Sequence, residues 1–86
     1  MPELARFYGI VIRMYFADHP PAHFHASYGS DEALVSIADG TVLAGSLPQR
    51  ALSLVLEWLE LHRAELAASW EKASNLESPG IIDPLP

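Results

Sequence analysis

From Phe7 to Phe16 apolar residues hold every even position, Tyr8, Ile10, Ile12, Met14 and Phe16, while Gly9, Arg13 and Tyr15 lie between them. Such period-two alternation predicts a strand with one buried face. The segment Ala17-Asp18-His19-Pro20-Pro21 interrupts it, and Ala22, Phe24, Ala26 and Tyr28 then resume the even pattern. Closing a hairpin over residues 17–21 pairs Phe16 with Ala22, Met14 with Phe24 and Ile12 with Ala26, so apolar positions meet apolar positions. Gly29-Ser30 suits a two-residue turn that sets Ala26 against Ala33, Phe24 against Val35 and Ala22 against Ile37. Asp39-Gly40 is a further turn signal and would pair Ile37 with Val42 and Val35 with Ala44. One face stays apolar throughout, and a four-stranded antiparallel meander follows.

The second half has helical period. Ser46-Leu47-Pro48-Gln49 reads as a capping box, with proline in the first turn where its missing N–H costs nothing. The helix should run to about Lys72 or Asn75, roughly 37 Å at 1.5 Å per residue. Leu47, Ala51, Leu54, Val55, Trp58, His62 and Leu66 form a stripe for the sheet. A second apolar row, Leu52, Leu56, Leu59 and Trp70, is left over, and Leu34 and Leu43 fall with Phe7 and Val11 on the outer sheet face. These residues are candidate interface positions for a second copy or a small partner protein, unless Ile81, Ile82 and Leu85 fold back over the row. Pro79-Gly80 cannot continue the helix. The expected fold is therefore α+β, ββββα: one domain over residues 1–75 and an extended or flexible arm over 76–86.

Composition narrows the function. The 86 residues are 50% hydrophobic and 19% charged, which suits a folded domain, yet a chain this short buries only roughly 60 to 65% of its unfolded surface. Its core is thin, and with no cysteine it has no disulfide to reinforce it. The net charge of −6 argues against general DNA binding. Residues 1–28 are neutral overall, whereas residues 29–86 hold three bases against nine acids. No membrane-spanning run is evident, and the start Met1-Pro2-Glu3-Leu4 lacks the basic and apolar regions of a secretion signal, so a cytoplasmic location is expected.

The densest chemistry is Asp18-His19-Pro20-Pro21-Ala22-His23-Phe24-His25. On a strand His23 and His25 share a face. With His19 and Asp18 they form a possible ligand set for zinc or a similar divalent metal. The hairpin register also sets Tyr15 beside His23 and Arg13 across from His25, and a guanidinium there would favour an anion. His23, His25, Arg13 and Tyr15 are then candidate catalytic residues for metal-free acid–base chemistry on a phosphate-bearing substrate such as RNA. Ordinary cross-strand pairing accounts for any single one of these histidines. Nothing in the sequence requires a cofactor, and no glycine-rich phosphate loop or nucleophile motif is present.

Arg6-Phe7-Tyr8-Gly9-Ile10, the segment His23-Phe24-His25-Ala26-Ser27-Tyr28-Gly29, and Arg50-Ala51-Leu52-Ser53-Leu54-Val55 with Glu57-Trp58 and Leu61-His62 resemble the small bacterial family DUF4160 over nearly the whole chain. That family usually carries Pro-Pro directly before the His-x-His pair, where this chain has Ala22. The family has no established activity. Its members are often encoded beside a DUF2442 protein, so the resemblance implies a partner-binding component of a two-gene, toxin–antitoxin-like module, with the toxin-like half as one form of that expectation.

Overall fold

The computed structural model describes residues 2–86. The fold is α+β, as the periodicities imply, but the sheet has five strands. They are β1 (Glu3–Phe7), β2 (Ile10–Arg13), β3 (His23–Tyr28), β4 (Asp31–Ser36) and β5 (Val42–Gly45), followed by α1 (Gln49–Ser74). All neighbours are antiparallel, in the order β1-β2-β3-β4-β5.

The additional strand arises because Tyr8 and Gly9 form a tight turn inside the apparent first strand. Both take positive φ, 50° and 81°, as a two-residue turn of the I′ kind requires. Tyr8 is therefore 60% exposed rather than on the apolar face, and Phe7 is buried against Trp58, with ring centroids 5.5 Å apart. A bulge at Leu4 lets both Leu4 and Ala5 enter the core.

The central register agrees with the pattern: Ile12 faces Ala26, Arg13 faces His25, Ala26 faces Ala33 and Phe24 faces Val35. Two other pairings differ. The ladder between β2 and β3 ends at the Arg13–His25 pair, so neither Met14 and Phe24 nor Phe16 and Ala22 are strand partners. Phe16 is 44% exposed because the chain turns away at Ala17, whose N–H bonds the Ala73 carbonyl. Between β4 and β5 the turn is longer than Asp39-Gly40 alone. The Ser36 N–H bonds the Thr41 carbonyl, Val35 pairs with Val42, and Leu43 is the extra residue of a bulge before Ala44 meets Leu34.

The helix covers the face carrying Ile10, Ile12, Met14, Phe24, Ala26, Ala33 and Val35, all buried. Ala51, Val55, Trp58 and Leu66 meet that face, and the Trp58 ring stands edge-on to Phe24. Fully burying side chains of this size stabilises by about 1.5–3 kcal/mol each. The expected capping box does not form: Pro48 is the N-cap, with no side-chain cap bond, and the Ser46 N–H is engaged by the Glu32 carbonyl. A straight helix of 26 residues would be about 39 Å long, exceeding the molecule's longest extent of 33 Å. It bends at His62, whose φ and ψ are −126° and 22°.

Beyond the helix the chain folds back. Ser69 donates to the Pro79 carbonyl, the Ile82 N–H to Leu4, the Trp58 indole to Asp83, and the Tyr8 hydroxyl to Pro86. Ile82 and Leu85 are buried. Among the described residues no helix is long and apolar enough to cross a membrane.

Gly45 supports the close approach of β5 to β4. A methyl group there would stand 2.1 Å from the Glu32 carbonyl oxygen, on a backbone with φ of 74°. Gly45→Ala is expected to destabilise the domain by about 3 kcal/mol, read as a lower urea midpoint. A change under about 1 kcal/mol would contradict this packing.

Candidate metal centre

The site sits where the start of β3 meets the loop after β2 and the far end of α1. Alternation puts His23 and His25 on the face of β3 opposite Phe24. His23 is 5% exposed, its ring 5.2 Å from that of Trp70 and 5.4 Å from that of His25. Tyr15 stands edge-on to His25 at 4.2 Å, so it packs on that histidine and not on the expected His23.

Asp18 closes the group. Its Oδ1 accepts the His19 backbone N–H at 2.8 Å, which leaves Oδ2 toward both imidazoles, 3.0 Å from His23 Nε2 and 3.5 Å from His25 Nε2. One candidate ligand atom from each of Asp18, His23 and His25 lies within 4.8 Å of the others. Burial pushes the Asp18 carboxyl up, but the His19 N–H, the His25 hydrogen bond and the His23 charge and hydrogen bond together hold it below the ordinary aspartate range.

The hydrogen bonds of His23 carry a specific demand. Nδ1 is 2.8 Å from the Pro21 carbonyl, an acceptor with nothing to donate, so Nδ1 carries a proton. Nε2 then faces the Asp18 carboxylate, a second acceptor. Only a proton or another cation between Nε2 and Oδ2 makes both contacts attractive. His25 is less completely served: Nε2 faces Asp18, while buried Nδ1 has no hydrogen-bond partner and lies 3.7 Å from Glu32 Oε2.

The remaining candidates from the sequence are distributed differently. His19 is exposed, and its contribution is a backbone N–H. Arg13 is the strand partner of His25, but it also pairs with Glu3 across β1 and β2. No hydrogen bond or ion pair joins Arg13 to either imidazole among the described residues. Glu3 has its carboxyl lowered chiefly by the Arg6 hydrogen bond, against a little burial, with the charges of Arg6 and Arg13 assisting. The charged neighbours of the two rings are thus acids, Asp18 and Glu32.

Of the candidate interface residues, Leu59 is 1% exposed and belongs to the core. Leu56 and Leu59 abut Gly40 of the β4–β5 turn, and Arg63 donates to the Ile37 and Ala38 carbonyls of the same turn. Leu52 and Trp70 are half-buried, as is Leu34, while Leu43 is exposed. A separate recess of about 220 Å³ lies at the other end of β3, lined by Tyr8, Ile10, Tyr28, Pro48, Arg50, Ala51 and Leu54.

Glu32 was not among the candidates read from the sequence, although the Gly29-Ser30 turn places it opposite Ser27 and hence on the His25 side of β4. The Pro21 carbonyl and the approach of Trp70 have no sequence signal, because they depend on the loop path and on the bend at His62.

A carboxylate whose native pKa is depressed stabilises the fold above its unfolded pKa, and the contribution disappears as pH falls through the native value. In metal-free protein Asp18→Ala is expected to cost about 2 kcal/mol at neutral pH. The gap from wild type should close below about pH 4. Urea unfolding of both proteins across that range checks it; a gap that persists unchanged at the acid end would contradict the assignment.

The family model described as a domain of unknown function, DUF4160, matches residues 9–71. Comparison with curated proteins and with solved structures finds no match. The matched stretch contains Asp18, His23, His25 and Glu32 and most of α1. The chain is a member of the DUF4160 family.

Proposed function

We propose that this domain binds a divalent transition-metal cation, zinc or a similar ion, through Asp18 Oδ2, His23 Nε2 and His25 Nε2. The observation that carries the reading is the His23 ring, held between two acceptors in a place closed to solvent. Ligands about 2.0–2.1 Å from a tetrahedral ion are about 3.3 Å apart, and the separations of 3.0 and 3.5 Å from Asp18 Oδ2 bracket that edge. The nitrogen and oxygen donors suit zinc, iron or nickel better than calcium or magnesium. Pro21 supplies His23 with the second-nitrogen acceptor that ligating histidines usually have.

Three protein ligands leave at least one coordination position for water or substrate, as in catalytic zinc sites. The acidic neighbours support a cation over a phosphate, and Arg13 stands with Glu3, so metal-free acid–base cleavage of RNA ranks lower. A bound ion would also tie the loop after β2 to β3, which helps a domain with so small a core.

Zinc titrated into chelator-treated protein is expected to bind one to one. At a hundredfold excess over its dissociation constant it should stabilise the fold by about 2.7 kcal/mol, or about 10 °C or more in Tm for a chain of this size. Asp18→Ala and His25→Ala should each weaken uptake by about 100-fold. Wild-type protein with no zinc uptake by calorimetry and elemental analysis would refute the reading.

A second reading is a partner-binding role in a toxin–antitoxin-like pair, as homo-oligomer or with a cognate protein. Its support is apolar surface left on the sheet: Leu43 is exposed on the edge strand β5, and Val11 and Leu34 are half-buried. On this reading the chain is a dimer by light scattering, and Leu43→Glu returns it to monomer. A wild-type monomer that also fails to co-purify with its chromosomal neighbour would contradict it.

A further inference from the structure

A histidine that gives one ring nitrogen to a metal keeps its proton on the other, and that N–H needs an acceptor. His23 has one in Pro21. His25 does not: its Nδ1 is shut off from solvent and unpartnered. The nearest carboxylate oxygen is Glu32 Oε2 at 3.7 Å, beyond hydrogen-bond range.

We infer that Glu32 is the positioning residue of the metal centre, its carboxylate accepting the Nδ1 proton of His25 when His25 Nε2 is a ligand. The inference rests on the metal reading above and adds a residue and a change of state to it. Strand register places Glu32 where this requires: Ser27 faces Glu32 and His25 faces Leu34, so Glu32 is the diagonal neighbour of His25 on the same sheet face. Its backbone is fixed, since its carbonyl takes the Ser46 N–H. Its side chain is 49% exposed and makes no hydrogen bond among the described residues. A rotamer adjustment of about 1 Å therefore closes the gap to an ordinary N–H···O distance.

The present separation has a physical cause on the same account. With the His25 proton on Nε2, directed at Asp18, Nδ1 shows Glu32 a lone pair, and two acceptors keep apart. Metal binding needs the Nε2 lone pair. The Nε2 proton passes to solvent and Nδ1 takes one up, so the ring has no net gain or loss, and the new N–H draws Glu32 in. Glu32 thus fixes the orientation of His25 and couples occupancy of the centre to β4.

Zinc binding to the full chain and its variants tests this. Glu32→Ala should lower zinc affinity by about 10- to 100-fold, while Glu32→Gln, which keeps an acceptor oxygen but loses the charge, should recover most of it. Nitrogen-15 NMR of the His25 ring should find the proton on Nε2 without zinc and on Nδ1 with it. Glu32→Ala within twofold of wild type, Glu32→Gln as weak as Glu32→Ala, or a zinc-loaded His25 lacking its Nδ1 proton would each overturn the role of Glu32 while leaving the metal centre standing. Wild-type protein that takes up no zinc would overturn the centre and this inference together.

Discussion

The site is built around one buried ring with an acceptor at each nitrogen. His23 cannot turn away from the Pro21 carbonyl or the Asp18 carboxylate without losing its packing on Trp70. Water has little access to mediate, and a neutral imidazole satisfies only one of the two contacts. A positive charge at Nε2 resolves the conflict, whether it is a proton or an ion shared with His25. Asp18 is prepared for that charge, because the His19 N–H occupies its other oxygen and helps hold the carboxyl ionised.

The rest of the fold presents that ring. Alternation along β3 commits Phe24 and Ala26 to the core and so turns His23 and His25 the other way. The bend at His62 carries the helix end to the loop after β2, where the Ala73 carbonyl takes the Ala17 N–H and Trp70 covers His23. At the opposite side the returning C-terminal segment buries Ile82 and Leu85. The surplus apolar row on the helix is partly absorbed inside the molecule, since the β4–β5 turn packs on Leu56 and Leu59. The family match spans the site and the helix that covers it, whereas β1 and the terminal segment lie outside the match.

Much of this was legible in the sequence, for reasons that also mark where legibility stops. Period two identifies faces, so the registers of Ile12 with Ala26 and Phe24 with Val35 could be read directly. It does not reveal a turn that preserves the alternation. Tyr8-Gly9 hid β1 in that way, because the even pattern runs through a residue that in fact points to solvent. Bulges at Leu4 and Leu43 change the count by one, which periodicity cannot see. In the site, the His23/His25 pair follows from strand geometry, but the choice of Asp18 over His19 is decided by a loop, and Trp70 reaches His23 through the bend at His62. The location of Arg13 beside His25 was correctly anticipated from pairing, yet pairing is silent about which neighbour a long side chain faces.

X-ray absorption at the zinc edge of the loaded protein reads the ligands of the ion itself. The account predicts a first shell of nitrogen and oxygen only, at about 2.0–2.1 Å, with the multiple-scattering pattern of two imidazoles and one carboxylate. A hydrated ion without imidazole scattering would contradict it, for it would mean that the cation bridging His23 and Asp18 is only a proton.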